Sequence, residues 1–187
     1  MKRKYIIRKT VFFLIMPMLV MDYSMLGQTI KPDSAQIILK AAVTDAQSSN
    51  RNVFLIFHAT WCKWCKRLEA ALNDPEIKTL IDKNYVVVML DVQERGDKIQ
   101  THENPGGQKL LSDFGGNNAG LPFVVFLNRK GKMIANSNVM PKKQNIGYPG
   151  SKEEIATFTK LLKKTAPHLI GKQGDVIQKY FELHAPK

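Results

Sequence analysis

The segment Val53-Phe54-Leu55-Ile56-Phe57 is an unbroken apolar run between the polar break Ser48–Asn52 and a helical stretch that starts at Cys62. A strand sends alternate side chains to opposite faces, so such a run needs cover on both. It therefore reads as a central strand with helices on either side. Upstream, Ser34–Gln47 carries Ile37, Ile38, Ala41 and Ala42 at helical spacing. Downstream, Leu68, Ala71 and Leu72 share one face, and Asn73-Asp74-Pro75 restarts the helix with Asp74 as N-cap and Pro75 in the first helical position. Tyr85–Leu90 is a second apolar run, rich in β-branched residues, read as a buried strand ending at Asp91.

Gly107–Phe114 places Leu110, Leu111 and Phe114 at helical spacing and closes on Gly115-Gly116. Pro122 opens a third strand through Leu127, Asn128–Gly131 is a turn, and Lys132–Asn136 returns as a hairpin partner. Residues 137–150 form a loop. Ser151–Glu154 has the form of a capping box, followed by Ile155, Phe158, Leu161 and Leu162 on one face and a stop at Pro167. A last amphipathic segment, Val176–Leu183, follows Gly174. Helices alternating with strands predict an α/β chain: a mixed sheet flanked by helices on both faces, with an antiparallel hairpin edge.

Only two cysteines occur, Cys62 and Cys65. A structural disulfide gains stability by closing a long loop, and this pair closes almost none, so it suits exchange chemistry better than scaffolding. Cys62 falls at a helix N-terminus, where unpaired N–H groups and the helix dipole favour an anion. Cys65 lies nearly one turn on, within bonding reach. Lys63 and Lys66 add positive potential that favours the thiolate, the reactive species.

The run Trp61-Cys62-Lys63-Trp64-Cys65-Lys66 after an apolar strand resembles the active-site segment of the thioredoxin superfamily. Gly120-Leu121-Pro122-Phe123 is similar to its cis-proline segment, and Asp91 followed by Asn104-Pro105-Gly106 follows its order. The resemblance spans about residues 35–165. It is closest to exported thioredoxin-like proteins with an aromatic-rich centre and a C-terminal helical extension. It implies a thioredoxin fold and a thiol–disulfide oxidoreductase with Cys62 attacking and Cys65 resolving. Trp61 would rim the substrate site, and Leu121 with cis-Pro122 would hold the substrate backbone. Taken alone, Pro122 reads equally as an ordinary strand-start proline.

Two departures concern electron flow. Many thioredoxins carry a buried acid six positions before the first cysteine, where this chain has Ile56, and Lys63-Trp64 replaces Gly-Pro between the cysteines. Lys63 resembles reducing members of the superfamily, which favours a reductase. The alternative is a protein-binding module that keeps the fold without redox turnover.

His58 either modulates the thiolate or simply packs at a strand end, and Trp64 either contacts substrate or covers the helix start. No metal is expected, because a zinc site would need two more ligands and His58, His102, His168 and His184 are dispersed. No cofactor is expected beyond the cysteine pair. The polar stretch 93–118 is either an insertion that shapes substrate access or a tolerated surface loop.

The first 27 residues read as a signal peptide: Lys2, Arg3, Lys4, Arg8 and Lys9, then an apolar Val11–Met21, then Tyr23–Gly27 ending in a small residue, with cleavage expected at Gly27–Gln28. The apolar stretch is shorter than a membrane span needs, so stable insertion is not expected after cleavage, and an exported protein of the periplasm or exterior is. Residues 28–187 are then one thioredoxin-like domain, with its core at about 35–165 and an extension at 166–187. The full chain carries 28 basic and 16 acidic residues, a net +12; without five of the bases and Asp22, 23 and 15 remain, or +8. The lysines are scattered, with short clusters at Arg129–Lys132, Lys142–Lys143 and Lys163–Lys164, as on a solvated surface. No nucleic-acid motif is present. The expected partners are cysteine-containing proteins and an upstream redox protein.

Overall fold

The computed structural model describes residues 31–186. The signal-peptide reading and its cleavage point lie outside the described residues. Strands β1 (Asn52–His58), β2 (Tyr85–Asp91), β3 (Phe123–Leu127) and β4 (Met133–Asn136) form one sheet in the order β2-β1-β3-β4. β1 runs parallel to β2 and antiparallel to β3, and β3–β4 is an antiparallel pair. The helices are α1 (Ala35–Ser48), α2 (Lys63–Asn73), α3 (Pro75–Asn84), the short α4 (Lys98–Thr101), α5 (Gly107–Asp113), α6 (Lys152–Thr165) and α7 (Gln173–Leu183).

The sheet divides two apolar layers, as the run Val53–Phe57 requires. Phe54 and Ile56 of β1, with Val124 and Phe126 of β3, meet α2, α3, α6 and α7 on one face. Val53, Leu55 and Phe57, with Phe123, Val125 and Leu127, meet α1 and α5 on the other. The fold is thus a mixed four-stranded sheet flanked by helices, with C-terminal helices added.

Local signals set most element ends. Asp74 caps α3 by accepting the Glu76 N–H at 2.9 Å, with Pro75 next. Ser151 and Glu154 form the full capping box of α6. Gly174 falls inside α7 rather than before it, with the Lys163 side chain of α6 lying against it: a Cβ there would stand 2.2 Å from Lys163 Cε. α7 supplies Ile177, Tyr180 and Phe181 to the first layer, and Phe181 meets Phe158 edge-on at 5.3 Å.

Two readings are corrected. Ile37 is 62% exposed and Ala41 is exposed. α1 instead buries Ala35, Ala42 and Ala46, with Ile38 and Leu39 packed beside them. β2 is an edge strand, and Val86 to Met89 are only partly covered although the segment is as apolar as β1. Within residues 93–118, α5 falls where the spacing predicts a helix, and the short α4 precedes it.

Candidate active site

β1 delivers its C-terminal end directly to the start of α2. Cys62 is the N-cap of α2, and its Sγ accepts the Cys65 N–H at 3.1 Å. A Cys62–Cys65 disulfide joins the two, with the Cα atoms 5.3 Å apart. Both cysteines are nearly covered, at 4% and 3% exposure, and pack with Ala59 and Leu121. The Leu121–Pro122 bond is cis, and Pro122 is buried where it leads into β3. Lys63 and Lys66 are exposed on the first turns of α2.

The two tryptophans are held differently. Trp61 donates its indole N–H to the Gln93 carbonyl at 2.8 Å, and the Arg95 guanidinium lies 3.9 Å from its ring centre. Trp64 stacks on Tyr148 at 5.8 Å. At 42% and 44% exposure, both rings keep a large face open to solvent. Beside the disulfide, Trp64, Leu121, Ile146 and Tyr148 wall a cavity of about 400 Å³.

A family model described as thioredoxin-like matches residues 35–129. The chain belongs to this family. No curated protein matches it. Among solved structures, this thioredoxin-like chain is similar to a disulphide isomerase from Xylella fastidiosa, with 21% identity, 80% of this chain and 91% of that one covered, and a TM-score of 0.47. A mutant thioredoxin from Halobacterium salinarum shares 24% identity over 72% of this chain and 89% of its own, with a TM-score of 0.43. The C-terminal domain of DsbD from Neisseria meningitidis, in its oxidised form, shares 28% over 56% and 84%, with a TM-score of 0.41.

Ile56 stands where many thioredoxins carry a buried acid. The Ile56 side chain is 1% exposed and sits in the same apolar layer as Leu68 and Ala71 of α2. The titratable pair lies two residues on, at the strand ends, where His58 and Asp91 are register partners and His58 Nε2 stands 3.3 Å from Asp91 Oδ1. Burial pushes the Asp91 carboxyl up, while His58 draws it back and Glu94 adds to the rise.

Several contributors escaped the sequence reading. Glu94 is 6% exposed, and its carboxylate accepts the Thr60 N–H at 2.6 Å and the Thr60 hydroxyl at 2.8 Å. Burial opposes that charge, but the two Thr60 hydrogen bonds, with Lys98 and His102, outweigh it and hold the carboxyl below its usual range. Asn145 donates its Nδ2 to the carbonyls of Gly120 at 2.6 Å and Pro122 at 2.9 Å, which ties the 137–150 loop to the cis-proline segment. Nothing in the local sequence marks Glu94 or Asn145, because each acts on residues more than twenty positions away. Tyr148 had a weak signal, as an isolated aromatic in a Gly/Pro loop.

Proposed function

We propose that this chain is a thiol–disulfide oxidoreductase of the bacterial cell envelope that reduces protein disulfides through Cys62 and Cys65. The observation that carries the reading is Cys62 at the N-cap of α2 with its sulfur accepting the Cys65 N–H. That donor and the helix dipole stabilise a thiolate at Cys62 once the disulfide is open.

In the reducing direction the Cys62 thiolate attacks one sulfur of a substrate disulfide. The substrate S–S bond breaks, and its leaving sulfur departs as a thiolate that takes a proton from solvent. Cys65 then loses its proton and attacks Cys62 Sγ, which releases the second substrate thiol and leaves the Cys62–Cys65 disulfide seen in the structure. Two electrons have passed to the substrate, and a dithiol partner must return them. Trp61, Trp64 and Leu121 provide the surface on which the substrate segment rests, and the Leu121–Pro122 backbone lies alongside it. Lys63 and Lys66 add positive charge beside the attacking sulfur. The envelope location rests on the N-terminal segment, and no helix among the described residues is long and apolar enough to cross a membrane.

The test is the reduction potential of the Cys62–Cys65 pair, measured against a glutathione series. A reductase is expected well below the potentials of strong oxidants, and a value near about −120 mV would remove the reductase reading.

A further inference from the structure

Leu121 stands at a junction. It packs on the disulfide cluster, and with Gly147 it lines two adjacent cavities. One is the aromatic cavity of Trp64, Ile146 and Tyr148. The other, about 630 Å³, is lined by Asn117, Asn138, Gln144 and Asn145 together with Lys142 and Lys143, and no acid borders it. A polypeptide crossing the disulfide over Leu121 therefore meets an apolar wall on one side and a cationic one on the other.

The cationic side differs from the lysines scattered elsewhere. Lys142 and Lys143 take φ angles of 59° and 58°, a left-handed conformation unfavourable to lysine. Their turn is closed by the Met140 N–H donating to the Gln144 carbonyl at 3.1 Å. The next residue, Asn145, is the one bonded to Gly120 and Pro122. The two ammonium groups are thus carried on a loop fastened to the segment that faces the cysteines. Among the described residues neither lysine joins an ion pair. Glu154, the acid at the aromatic cavity, is already engaged by the N–H groups of Gly150 and Ser151.

We propose that this groove selects a cysteine-containing polypeptide segment with an apolar residue on one side of its cysteine and carboxylates on the other, the carboxylates facing Lys142 and Lys143. The inference rests on the oxidoreductase reading for the cysteine and on the two cavities for its neighbours. It names the class of substrate: acidic, extended segments.

The test separates these two parts. Fluorescence anisotropy measures binding of labelled peptides to the oxidised protein, with serine in place of the peptide's cysteine so that no exchange occurs. One peptide carries a phenylalanine on one side and two acidic residues on the other; its counterpart has lysines for the acids. The acidic peptide is expected to bind about tenfold more tightly at low salt, with the preference shrinking as salt is added. Lys142→Asn with Lys143→Asn removes the charge while keeping a residue that tolerates the left-handed conformation. That variant should lose the preference. Lys130→Asn with Lys132→Asn, at the far end of the β3–β4 hairpin, should retain it. Equal binding of the two peptides, or a preference that survives the 142/143 change, overturns the proposal. Exchange with a neutral peptide disulfide is measured on wild type and on the 130/132 variant, which should agree within about twofold because those lysines lie away from the groove. If the acidic preference holds but wild type exchanges with no peptide, the oxidoreductase reading fails and the acid-selective groove stands.

Discussion

Glu94→Gln removes one charge and keeps the shape. In the wild type both carboxylate oxygens of Glu94 are used on Thr60, at 2.6 Å to the N–H and 2.8 Å to the hydroxyl. Glutamine can keep both contacts, with its carbonyl oxygen accepting the N–H and its amide donating to the Thr60 oxygen. Each bond is then neutral rather than charge-assisted, a loss of about 1 kcal/mol apiece, so the variant should be about 1–3 kcal/mol less stable at pH 7. Glu94→Ala should cost more, since it leaves the Thr60 N–H without its partner. The sign with pH follows from the lowered folded value of Glu94. A carboxyl held below its unfolded value contributes stability above the unfolded value and loses it as pH falls through the folded one. Urea unfolding of the oxidised protein at pH 7 and near pH 3 reads both effects, provided the slopes match. Glu94→Gln as stable as wild type at pH 7, or a deficit that does not shrink in acid, would mean that the Glu94 charge does not brace Thr60.

Other expectations follow from the same structure. Phe181→Ala should lower stability by about 3–5 kcal/mol in urea unfolding, because the ring is fully buried among Phe158, Tyr148 and Tyr180; a loss below about 1 kcal/mol would make α7 peripheral. Ser151→Ala should cost about 1 kcal/mol through loss of the α6 capping box, read as a shift in the urea midpoint at constant slope. Asp91, raised by burial, binds its proton more tightly folded than unfolded, so its ionisation opposes folding as pH rises through the folded value. Asp91→Asn should therefore gain stability relative to wild type as pH rises from acid to neutral, and a gain that is the same at both ends would contradict that assignment.

The central strand, the strand–cysteine–helix junction and the helix caps were legible because local chemistry decides them. An apolar run, a proline after an aspartate and a Ser-x-x-Glu box act within a few residues. What depends on distant partners was not legible. Val86 to Met89 look as buried as β1, yet β2 lies at the edge of the sheet, and strand order is not written in one strand's composition. Ile37 fits the helical period but lies on the outward side of α1, where smaller residues at 35, 42 and 46 let the helix approach the sheet. At the site, Cys62, Cys65 and Pro122 stood out by motif. His58 was visible as a candidate, but its Asp91 partner was set by strand register. The roles of Glu94, Asn145 and Lys142–Lys143 arise only when separate loops converge on the cysteines.

On the proposed function, Cys62 exchanges disulfides with other proteins and Cys65 resolves the intermediate. The most direct measurement compares Cys65→Ser with Cys62→Ser in cells, separated on non-reducing gels after acid quenching of thiols. Cys65→Ser should accumulate mixed disulfides with partner proteins that reductant dissolves, and Cys62→Ser should accumulate few. An absence of mixed disulfides in Cys65→Ser, together with an intact biological role in Cys62→Ser, would contradict it.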